Sequence, residues 1–316
     1  MASMASTPML AQANQIPALS VLVCTRNRAN KLKRAVESIL ANTFTDFELI
    51  VVDQSTDRAT EEALATIDDK RLRYIPTPDA VGVAISRNIA VRTSLSDTVV
   101  FTDDDCICDR NWLAAIVAEY AADPAALGVF GRVIPYGPPR EDMICPATNE
   151  SMQRLVLEGP AIPHLALGGG NNMSFKKAVF DKVGMFIESL GPGSRLAHAE
   201  DTEFSYRVLW YRCRIIYSPI PLVEHDNWFN RAQFAELMKG SVRGLAVVFL
   251  AYALRFDRLA LTQLLRTGYY LLRNKMAIGS ATVGLAYFAA GLACGPAYLF
   301  IRPPRLHETA AAIRRS

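Results

Sequence analysis

The stretch "VVFTDDDCICDRNWL", residues 99–113, places three consecutive aspartates directly behind a run of apolar and β-branched residues. The run predicts a buried strand, and the "RNWL" end predicts the beginning of a helix. Packing gains nothing from three adjacent carboxylates, because they repel one another and none can be buried unpaired. The aspartates are therefore either solvated on a turn, or they surround a positive charge.

The segments on either side of this stretch alternate between strand-like and helix-like patterns. The strand-like segments are residues 18–24, 47–53, 71–75 and 98–102. The helix-like segments are residues 29–43, 57–67, 81–94 and a segment from about residue 111. This alternation predicts a parallel sheet covered by helices, with ligands at the carboxyl ends of the strands. Asp53 and Asp103–Asp105 both fall at such ends.

The chain beyond residue 133 is less regular. Residues 134–170 are rich in Pro and Gly and predict long loops over a site. The segment "LGGGNNMSF", residues 167–175, has no strand–GxGxxG–helix pattern and no Walker lysine after it. It predicts a flexible loop whose backbone amides and two Asn side chains line a pocket. Beyond it the patterns predict a helix over 199–210 and short strands near 214–217 and 222–225.

Composition separates the front of the chain from its back. With 316 residues, 51% of them hydrophobic, the chain suits one large or two modest domains. Residues 231–316 contain 12 Lys/Arg and 3 Asp/Glu, a charge of +9. Residues 1–230 contain 22 Lys/Arg and 28 Asp/Glu, a charge of −6, so the total is +3. An acidic front and a basic, apolar back indicate two different solvents or partners.

The back of the chain predicts contact with a membrane. A helix over 255–273 would present arginines on one face, at positions Arg255, Arg266 and Arg273. Leucines would take the opposite face, at positions Leu261, Leu264, Leu265, Leu271 and Leu272. Such a basic amphipathic helix suits a membrane surface or packing. Residues 276–301 carry no charge and would reach roughly 39 Å as one helix, against a bilayer core of about 30 Å. The alternative is a buried Ala/Gly-rich hairpin.

Targeting and redox signals are sparse. Residues 1–16 have no basic residue and no long apolar run, so they predict a disordered leader rather than a signal peptide. The six cysteines show no CxxC pair and no paired His spacing, which argues against a zinc site or a disulfide framework. A reducing cytosol fits this pattern, and we expect the cytoplasmic face of a membrane, reached peripherally or through a single pass of residues 255–301.

Several carboxylates and one histidine admit two interpretations each. Asp103–Asp105 could hold a hard divalent cation with positions left for phosphate oxygens, or could form a solvated turn. Asp53 could accept hydrogen bonds from a base or ribose, or stabilise a turn. Glu200 and Asp201 could supply a general base, or merely the acidic residues that a helix N-terminus favours. His225 could be structural or complete a metal shell.

Six motifs in order resemble those of the family 2 glycosyltransferases. They are "SVLVCTRNR", "ELIVVDQSTD", "GVAISRN", "VVFTDDDC…NWL", "GGGNNMSF…VGMFIESLGPG" and "HAEDTEFSYRV", spread over about residues 17–228. The resemblance implies an α/β fold of the GT-A type, a Rossmann-like mixed sheet flanked by helices. It also implies a catalytic domain over 17–229, with a nucleotide-sugar half (17–133) and an acceptor half (134–229). The remaining residues, 230–316, would form a helical, membrane-associating region.

The resemblance assigns roles to individual residues. The nucleotide-sugar site would comprise Thr25, Asn27, Arg28, Asp53, Arg87, Asn88, Asp103 and Asp104. Asp105 and His225 would hold Mg²⁺ or Mn²⁺, and Asp201 would be the general base. The candidates for the acceptor site are Asn171, Asn172 and Glu200.

The implied reaction is metal-dependent transfer of one sugar, with inversion, from a nucleotide-diphospho-sugar to an acceptor hydroxyl. The Gln-x-x-Arg-Trp motif of processive synthases is absent, which favours a single transfer to a lipid-linked or membrane-proximal glycan. No nucleic-acid partner is expected, and the oligomeric state stays open. Two alternatives remain: a phosphatase with Asp103 as nucleophile and Asp105 as acid, and a non-catalytic, membrane-associated nucleotide-sugar-binding protein.

Overall fold

The computed structural model describes residues 16–194, 196, 198–273 and 281–298. The predicted leader up to residue 15 and parts of the 276–301 segment lie outside these residues. The described strands are β1 Leu19–Thr25, β2 Phe47–Asp53, β3 Leu72–Pro76, β4 Thr98–Asp103, β5 Cys106–Cys108, β6 Gly128–Pro135, β7 Met143–Ile144, β8 Leu155–Leu157, β9 Asn172–Lys176, β10 Ile215–His225 and β11 Phe229–Asn230. The described helices are α1 Ala29–Leu40, α2 Ala59–Leu64, α3 Val83–Thr93, α4 Trp112–Ala122, α5 Pro163–Ala166, α6 Ala178–Val183, α7 Glu200–Trp210, α8 Arg231–Ala253, α9 Arg258–Arg273 and α10 Ala281–Tyr298.

A mixed sheet of nine strands organises the described part of the chain. Its order is β3-β2-β1-β4-β9-β6-β10-β5, with β8 paired to β10. Strands β1 to β4 run parallel, as the alternation of strands and helices predicts. Strand β9 runs antiparallel to both β4 and β6. Both predicted halves of the catalytic domain therefore contribute strands to a single α/β sheet.

The central strands are buried on both faces. Every residue of β2 is buried, and its "FELIVVD" sequence is apolar on both sides of the pleat except at Glu48 and Asp53. Helices cover each face, so side chains of both orientations enter a core. On one face Leu22 and Phe101 pack with the aromatic residues of α6 and α7. On the other, Val21 and Val100 pack with α1 and α4.

Two predictions for the acceptor half are wrong. Residues 172–176 form the central strand β9 rather than part of a loop, and Met173 and Phe175 are fully buried there. Residues 215–225 form one strand rather than two, with an irregularity between Ser218 and Leu222. The intervening "PIP" explains the second error, because proline cannot donate a ladder hydrogen bond and signals a break in sequence.

Helix α8 begins at a well-defined cap and packs on the catalytic domain. The Asn230 side chain accepts from the Gln233 amide at 2.9 Å, and the Gln233 side chain accepts from the Asn230 amide at 3.0 Å, which forms a capping box. At the other end of α8, the Tyr252 hydroxyl donates to Glu203 of α7 at 3.0 Å, in a buried position. The predicted boundary near residue 230 therefore marks a helix start, and α8 remains in contact with the domain before it.

Helix α9 differs from its prediction at the N-terminus and on its apolar face. It begins at Arg258, because Phe256 has a positive φ of 63° and the Asp257 carboxylate accepts from the Leu259 amide at 2.9 Å. Arg255 therefore lies outside the helix. Leu264 and Leu271 are buried against neighbouring helices, while Leu261 and Leu265 are exposed. The leucines predicted to share one face of α9 are therefore partly packed against other helices and partly exposed to solvent.

Helix α10 packs against α8 and α9. At Gly291 the backbones of α10 and α8 approach so closely that an added Cβ would lie 2.6 Å from the Arg243 carbonyl oxygen of α8. Pro296 lies inside this helix. Within the described ranges, no helix combines the length and the apolar character needed to cross a bilayer.

Candidate active site

Strand register brings the predicted site residues to one edge of the sheet. Thr25 pairs with Asp53 across β1 and β2, and Cys24 pairs with Asp103 across β1 and β4. Because parallel strands end at the same edge, their C-terminal residues gather there. Asp104 and Asp105 follow as a turn between β4 and β5.

The Asp104–Asp105 turn is held by Arg28 and Thr25. Arg28 donates to Asp104 Oδ1 at 2.7 Å and also forms an ion pair with Asp105, and Lys31 Nζ lies 3.9 Å from Asp105. The Thr25 hydroxyl donates to Asp104 Oδ2 at 2.7 Å. Burial raises the pKa of Asp104 to about 7, although the Arg28 charge opposes this rise. Asp104 therefore fixes Arg28 and Thr25, which line the cavity with it.

His225 lies against Asp105 because β10 pairs with β5. In that pairing His225 stands opposite Cys106, the residue after Asp105. His225 Nε2 is 3.3 Å from Asp105 Oδ1, and its Nδ1 donates to the Pro146 carbonyl at 3.0 Å. This second hydrogen bond orients the ring so that Nε2 faces the aspartate turn.

The charged forms of Asp105 and His225 stabilise each other. Burial alone would raise the pKa of Asp105, but the hydrogen bond from His225 and the charges of His225 and Arg28 hold it below its usual value. Burial alone would lower the pKa of His225, yet the hydrogen bond to Asp105 raises it to about 10. The hydrogen bond between them therefore favours the charged form of each side chain.

The residues present fit a divalent cation. Ligand atoms of Asp105, Cys106 and His225 all lie within 4.8 Å of one another. A carboxylate oxygen suits Mg²⁺ or Mn²⁺, and an imidazole nitrogen beside it favours the transition metal Mn²⁺ over Mg²⁺. Burial raises the pKa of the Cys106 thiol well above its ordinary value, and a soft sulfur ligand is not the kind that Mg²⁺ or Mn²⁺ prefers. Asp105 and His225 are therefore the residues that would hold the metal.

A second buried ion pair, between Arg87 and Glu200, also lines the cavity. Arg87 of α3 donates to Glu200 Oε1 at 2.7 Å and lies 3.5 Å from Asp103 Oδ1. Burial, with the neighbouring Asp201 charge, raises the pKa of Glu200 to about 7 against the opposing effect of Arg87. Burial also raises the pKa of Asp103, whose carboxylate faces the cavity. Glu200, an acceptor-site candidate, thus contacts the guanidinium that also approaches Asp103.

Asp201 stands at the first turn of α7 with both carboxylate oxygens engaged. Its Oδ2 accepts from the Gly170 amide at 2.7 Å, and its Oδ1 accepts from the Thr202 amide at 2.6 Å. Ala199, the residue just before α7, has a left-handed φ of 78°, which turns the chain sharply into the helix. Asp201 is partly exposed and lines the cavity, so it is accessible to a ligand.

The two asparagines of the glycine-rich segment have different positions. Asn171 lines the cavity, and its Nδ2 donates to the Ala147 carbonyl at 3.1 Å. Asn172 lies in β9, where it accepts from Trp112 Nε1 at 2.9 Å and donates to the carbonyls of Arg132 and Pro221 at 2.9 and 3.0 Å. Asn172 therefore links three strands and a helix, and it does not line the cavity.

Three predicted nucleotide-site residues also lie outside the cavity lining. The Asp53 carboxylate is buried and accepts from Ser55 and from the Tyr74 hydroxyl, the latter at 2.8 Å. The Asn27 side chain accepts from the Thr56 amide at 3.1 Å. The Asn88 side chain pairs with both backbone groups of Phe186. These side chains shape the walls, and their assignment to the nucleotide remains a prediction.

One cavity of about 620 Å³ joins these groups. Its lining includes the predicted residues Thr25, Arg28, Arg87, Asp103, Asp104, Asp105, Asn171, Glu200, Asp201 and His225. It also includes residues that sequence reasoning missed, among them Gln54, His198, Leu237, Met238, Ser241 and Leu245. Gln54 directly follows Asp53 at a strand end, which was a usable signal. The last four belong to α8, and no local pattern indicates that this helix returns to the site.

Known proteins are similar to this chain in sequence and in fold. A glucosyl-dolichyl phosphate glucuronosyltransferase of Haloferax volcanii is 28% identical over 229 residues, 68% of this chain and 71% of the relative. A pre-mycofactocin glycosyltransferase of Mycobacterium tuberculosis is 25% identical over 72% of this chain, but the match spans only 47% of that relative. Among solved structures, the mannosyltransferase PcManGT of Pyrobaculum calidifontis, in complex with GDP-Man and Mn²⁺, has a TM-score of 0.57 and 21% identity over 90% of this chain and 81% of its own.

The mixed sheet, together with this structural neighbour, defines a fold of the GT-A type. The family model "Glycosyl transferase family 2" matches residues 20–184, just over half of the chain. The chain therefore belongs to glycosyltransferase family 2. This membership sets aside both the aspartate-nucleophile phosphatase and the non-catalytic binding protein.

Proposed function

We propose that this chain is a metal-dependent, inverting glycosyltransferase that moves one sugar from a nucleotide-diphospho-sugar to an acceptor hydroxyl. The observation that carries the proposal is the cavity that joins the Asp103–Asp105 turn to Asp201. A cation-binding group and a positioned carboxylate within one cavity are the two components that a single displacement requires.

The donor would bind along the Thr25, Arg28 and Arg87 side of the cavity. Two guanidinium groups there can neutralise a diphosphate, and a planar guanidinium pairs well with phosphate oxygens. Asp103 would contact the ribose. The complex of PcManGT with GDP-Man and Mn²⁺ supports both a nucleotide-diphospho-sugar donor and a divalent cation for this chain.

Asp105 and His225 would hold Mg²⁺ or Mn²⁺. When bound, the cation supplies positive charge that stabilises the departing nucleoside diphosphate. Arg28, which pairs with Asp104 and Asp105, is close enough to this turn to add its own charge to the leaving group. Asp201, held by the Gly170 and Thr202 amides, would take the acceptor proton as the acceptor oxygen attacks the sugar, which inverts the anomeric centre.

The acceptor would be a lipid-linked or membrane-proximal glycan at the cytoplasmic face of a membrane. The name of the Haloferax volcanii relative, a glucosyl-dolichyl phosphate glucuronosyltransferase, supports a lipid-linked acceptor. The surface around the α8–α9 turn supports membrane contact. Phe256 is 95% exposed there, and Leu261 and Leu265 of α9 are exposed beside Arg258 and Arg266. Apolar side chains flanked by arginines suit an anionic lipid surface.

A binding screen tests the donor and the metal together. UDP-, GDP- and dTDP-sugars are titrated into the full chain by calorimetry, with Mg²⁺, with Mn²⁺ and with EDTA. One nucleotide should bind and should require the cation. Inversion is then read from the anomeric configuration of the product by NMR. Absence of cation-dependent binding for every nucleotide would overturn the proposal.

A further inference from the structure

Gly169 forms the floor of a small recess beside the proposed base. A Cβ built on Gly169 would lie 3.5 Å from Asn171 Oδ1 and 3.6 Å from Asp201 Oδ2. Both oxygens therefore face the same space above the Gly169 Cα. The Ala147 Cβ borders the same place at 3.7 Å. Gly169, Asn171 and Asp201 all line the cavity, so a ligand in the cavity can approach this recess.

Asn171 has an unmet hydrogen-bonding capacity toward this recess. The residue is 1% exposed, and its Nδ2 is used by the Ala147 carbonyl. Its Oδ1 is buried and accepts no hydrogen bond within the described part of the chain. A buried amide oxygen without a donor is unfavourable, so a ligand hydroxyl at this place would satisfy it.

Asp201 presents its carboxylate to the same recess in a fixed orientation. The Gly170 amide occupies one acceptor position of Oδ2, and the Thr202 amide occupies one position of Oδ1. Each carboxylate oxygen can accept a further hydrogen bond. A hydroxyl above Gly169 could therefore donate its proton to Asp201 Oδ2, while a neighbouring hydroxyl of the same ligand donates to Asn171 Oδ1.

A mainly apolar part of the cavity lining comes from α8. Leu237, Ser241 and Leu245 lie at i, i+4 and i+8, which places them on one face of the helix. All three line the cavity and are only partly buried, as is Met238 beside them. The wall is therefore available to a ligand.

We infer that this recess and the α8 wall form the acceptor subsite, and that the acceptor is an alcohol with an adjoining apolar group. This inference rests on the proposed glycosyl transfer. The acceptor hydroxyl lies above Gly169 and donates to Asp201 Oδ2, and a neighbouring ligand hydroxyl donates to Asn171 Oδ1. The apolar group lies along Leu237, Met238 and Leu245. In the reaction the hydroxyl proton passes to Asp201, the acceptor oxygen bonds to the anomeric carbon, and the bond from that carbon to the diphosphate oxygen breaks.

The Gly169→Ala variant tests the recess. The added methyl group makes ordinary van der Waals contacts and needs no unusual backbone angle, so the variant should fold. It should bind the nucleoside diphosphate with Mn²⁺ as the wild type does, but transfer to the acceptor should fall by about a hundredfold or more. Gly268→Ala, a glycine of α9 with similar room for a methyl group, is the matched control and should retain transfer. A transfer rate in Gly169→Ala equal to that of the wild type would show that the acceptor hydroxyl does not bind in this recess.

Methyl and hexyl β-glucosides test the apolar wall. Each compound is assayed as an acceptor and as an inhibitor of nucleotide-sugar hydrolysis. A compound that binds at the subsite without reacting is then still detected as an inhibitor. Hexyl glucoside should reach its half-maximal effect at a concentration about tenfold lower than methyl glucoside, because burial of two methylene groups alone changes affinity by a factor of that order. The Leu237→Asn/Leu245→Asn double variant should lose this preference and keep nucleotide binding.

The outcomes separate the inference from the proposed function. If the wild type binds no nucleotide in the presence of Mn²⁺, the glycosyl-transfer proposal fails. If the wild type binds a nucleotide but treats both glucosides alike, or responds to neither, the apolar subsite is wrong and the transfer proposal stands.

Discussion

The Gly170 amide donates a 2.7 Å hydrogen bond to Asp201 Oδ2, which ties the glycine-rich segment to the first turn of α7. Gly170 also contacts the other ion pair of the site, because a Cβ there would lie 2.7 Å from Arg87 Nη2. A side chain at this position would displace the guanidinium. Gly170 thus lets the backbone approach the Asp201 carboxylate on one side and the Arg87 guanidinium on the other.

Replacement of Asp201 by Asn should separate binding from chemistry. Asn is close in size and can still accept from the Gly170 amide, but it cannot take a proton at neutral pH. General-base catalysis contributes about 10²- to 10⁴-fold, so we expect a loss of that order in the transfer rate. Calorimetry should give nucleotide affinity close to that of the wild type. Wild-type turnover would remove Asp201 as the base.

Replacement of Asp105 by Ala should remove metal-dependent nucleotide binding. The variant loses a carboxylate oxygen from the Asp105–His225 pair and leaves Arg28 with Asp104 alone. We expect Mn²⁺ affinity, measured by electron paramagnetic resonance with nucleotide present, to fall at least about tenfold. Asp226→Asn, which alters a carboxylate that pairs with Arg34 and Arg140 instead, serves as the comparison. Equal affinities in Asp105→Ala and the wild type would place the metal elsewhere.

Glu200 should impose a pH dependence on stability. Its pKa rises from an ordinary value of 4.5 to about 7 in the folded state, so between these values the folded chain binds more protons than the unfolded chain. The free energy of unfolding should then fall as pH rises through this window, by at most about 1.4 kcal/mol per pH unit for one proton. Glu200→Gln should reduce that slope in urea denaturation curves from pH 5 to 7. The exposed Glu150→Gln is the control, and an unchanged slope in Glu200→Gln would contradict the prediction.

Asn171 and Asn172 form a matched pair of adjacent substitutions. Asn172→Ala leaves Trp112 Nε1 and two carbonyls without their partner, so the free energy of unfolding should fall by at least about 2 kcal/mol. Asn171→Ala removes one such bond, to Ala147, and should cost less stability but lower the transfer rate. Both are measured by urea denaturation and by the transfer assay. Equal loss of stability in the two variants would argue against the scaffold role of Asn172.

Phe256 should contribute to membrane binding. Replacement of this exposed side chain by Asp places a negative charge at the α8–α9 turn, and binding to vesicles with anionic lipid should weaken. Ile220→Asp is the matched control, because Ile220 is also exposed, at 67%, but lies in β10. Flotation of the full chain with vesicles measures both variants. Equal flotation of Phe256→Asp and the wild type would show that this turn is not the contact.

Much of the sheet could be predicted because its segments carry clear local patterns. The predicted strand over 47–53 and the observed β2 coincide, and the helix predicted over 199–210 begins at Glu200. Errors fell where local chemistry misleads. The "LGGGNNMSF" run suggested a loop over residues 167–175, although its "NMSF" portion is a strand held by two neighbours. Pairing with distant strands overrode the local signal there.

The sequence by itself determined the α/β alternation and the gathering of carboxylates at one sheet edge. Both follow from local periodicity and from the rule that parallel strands end together. Only the tertiary structure placed His225 against Asp105, through the pairing of β10 with β5, and brought α8 to the cavity wall. These contacts join segments far apart in the chain, and their choice depends on how whole elements pack. Residue spacing within one segment carries no record of that packing.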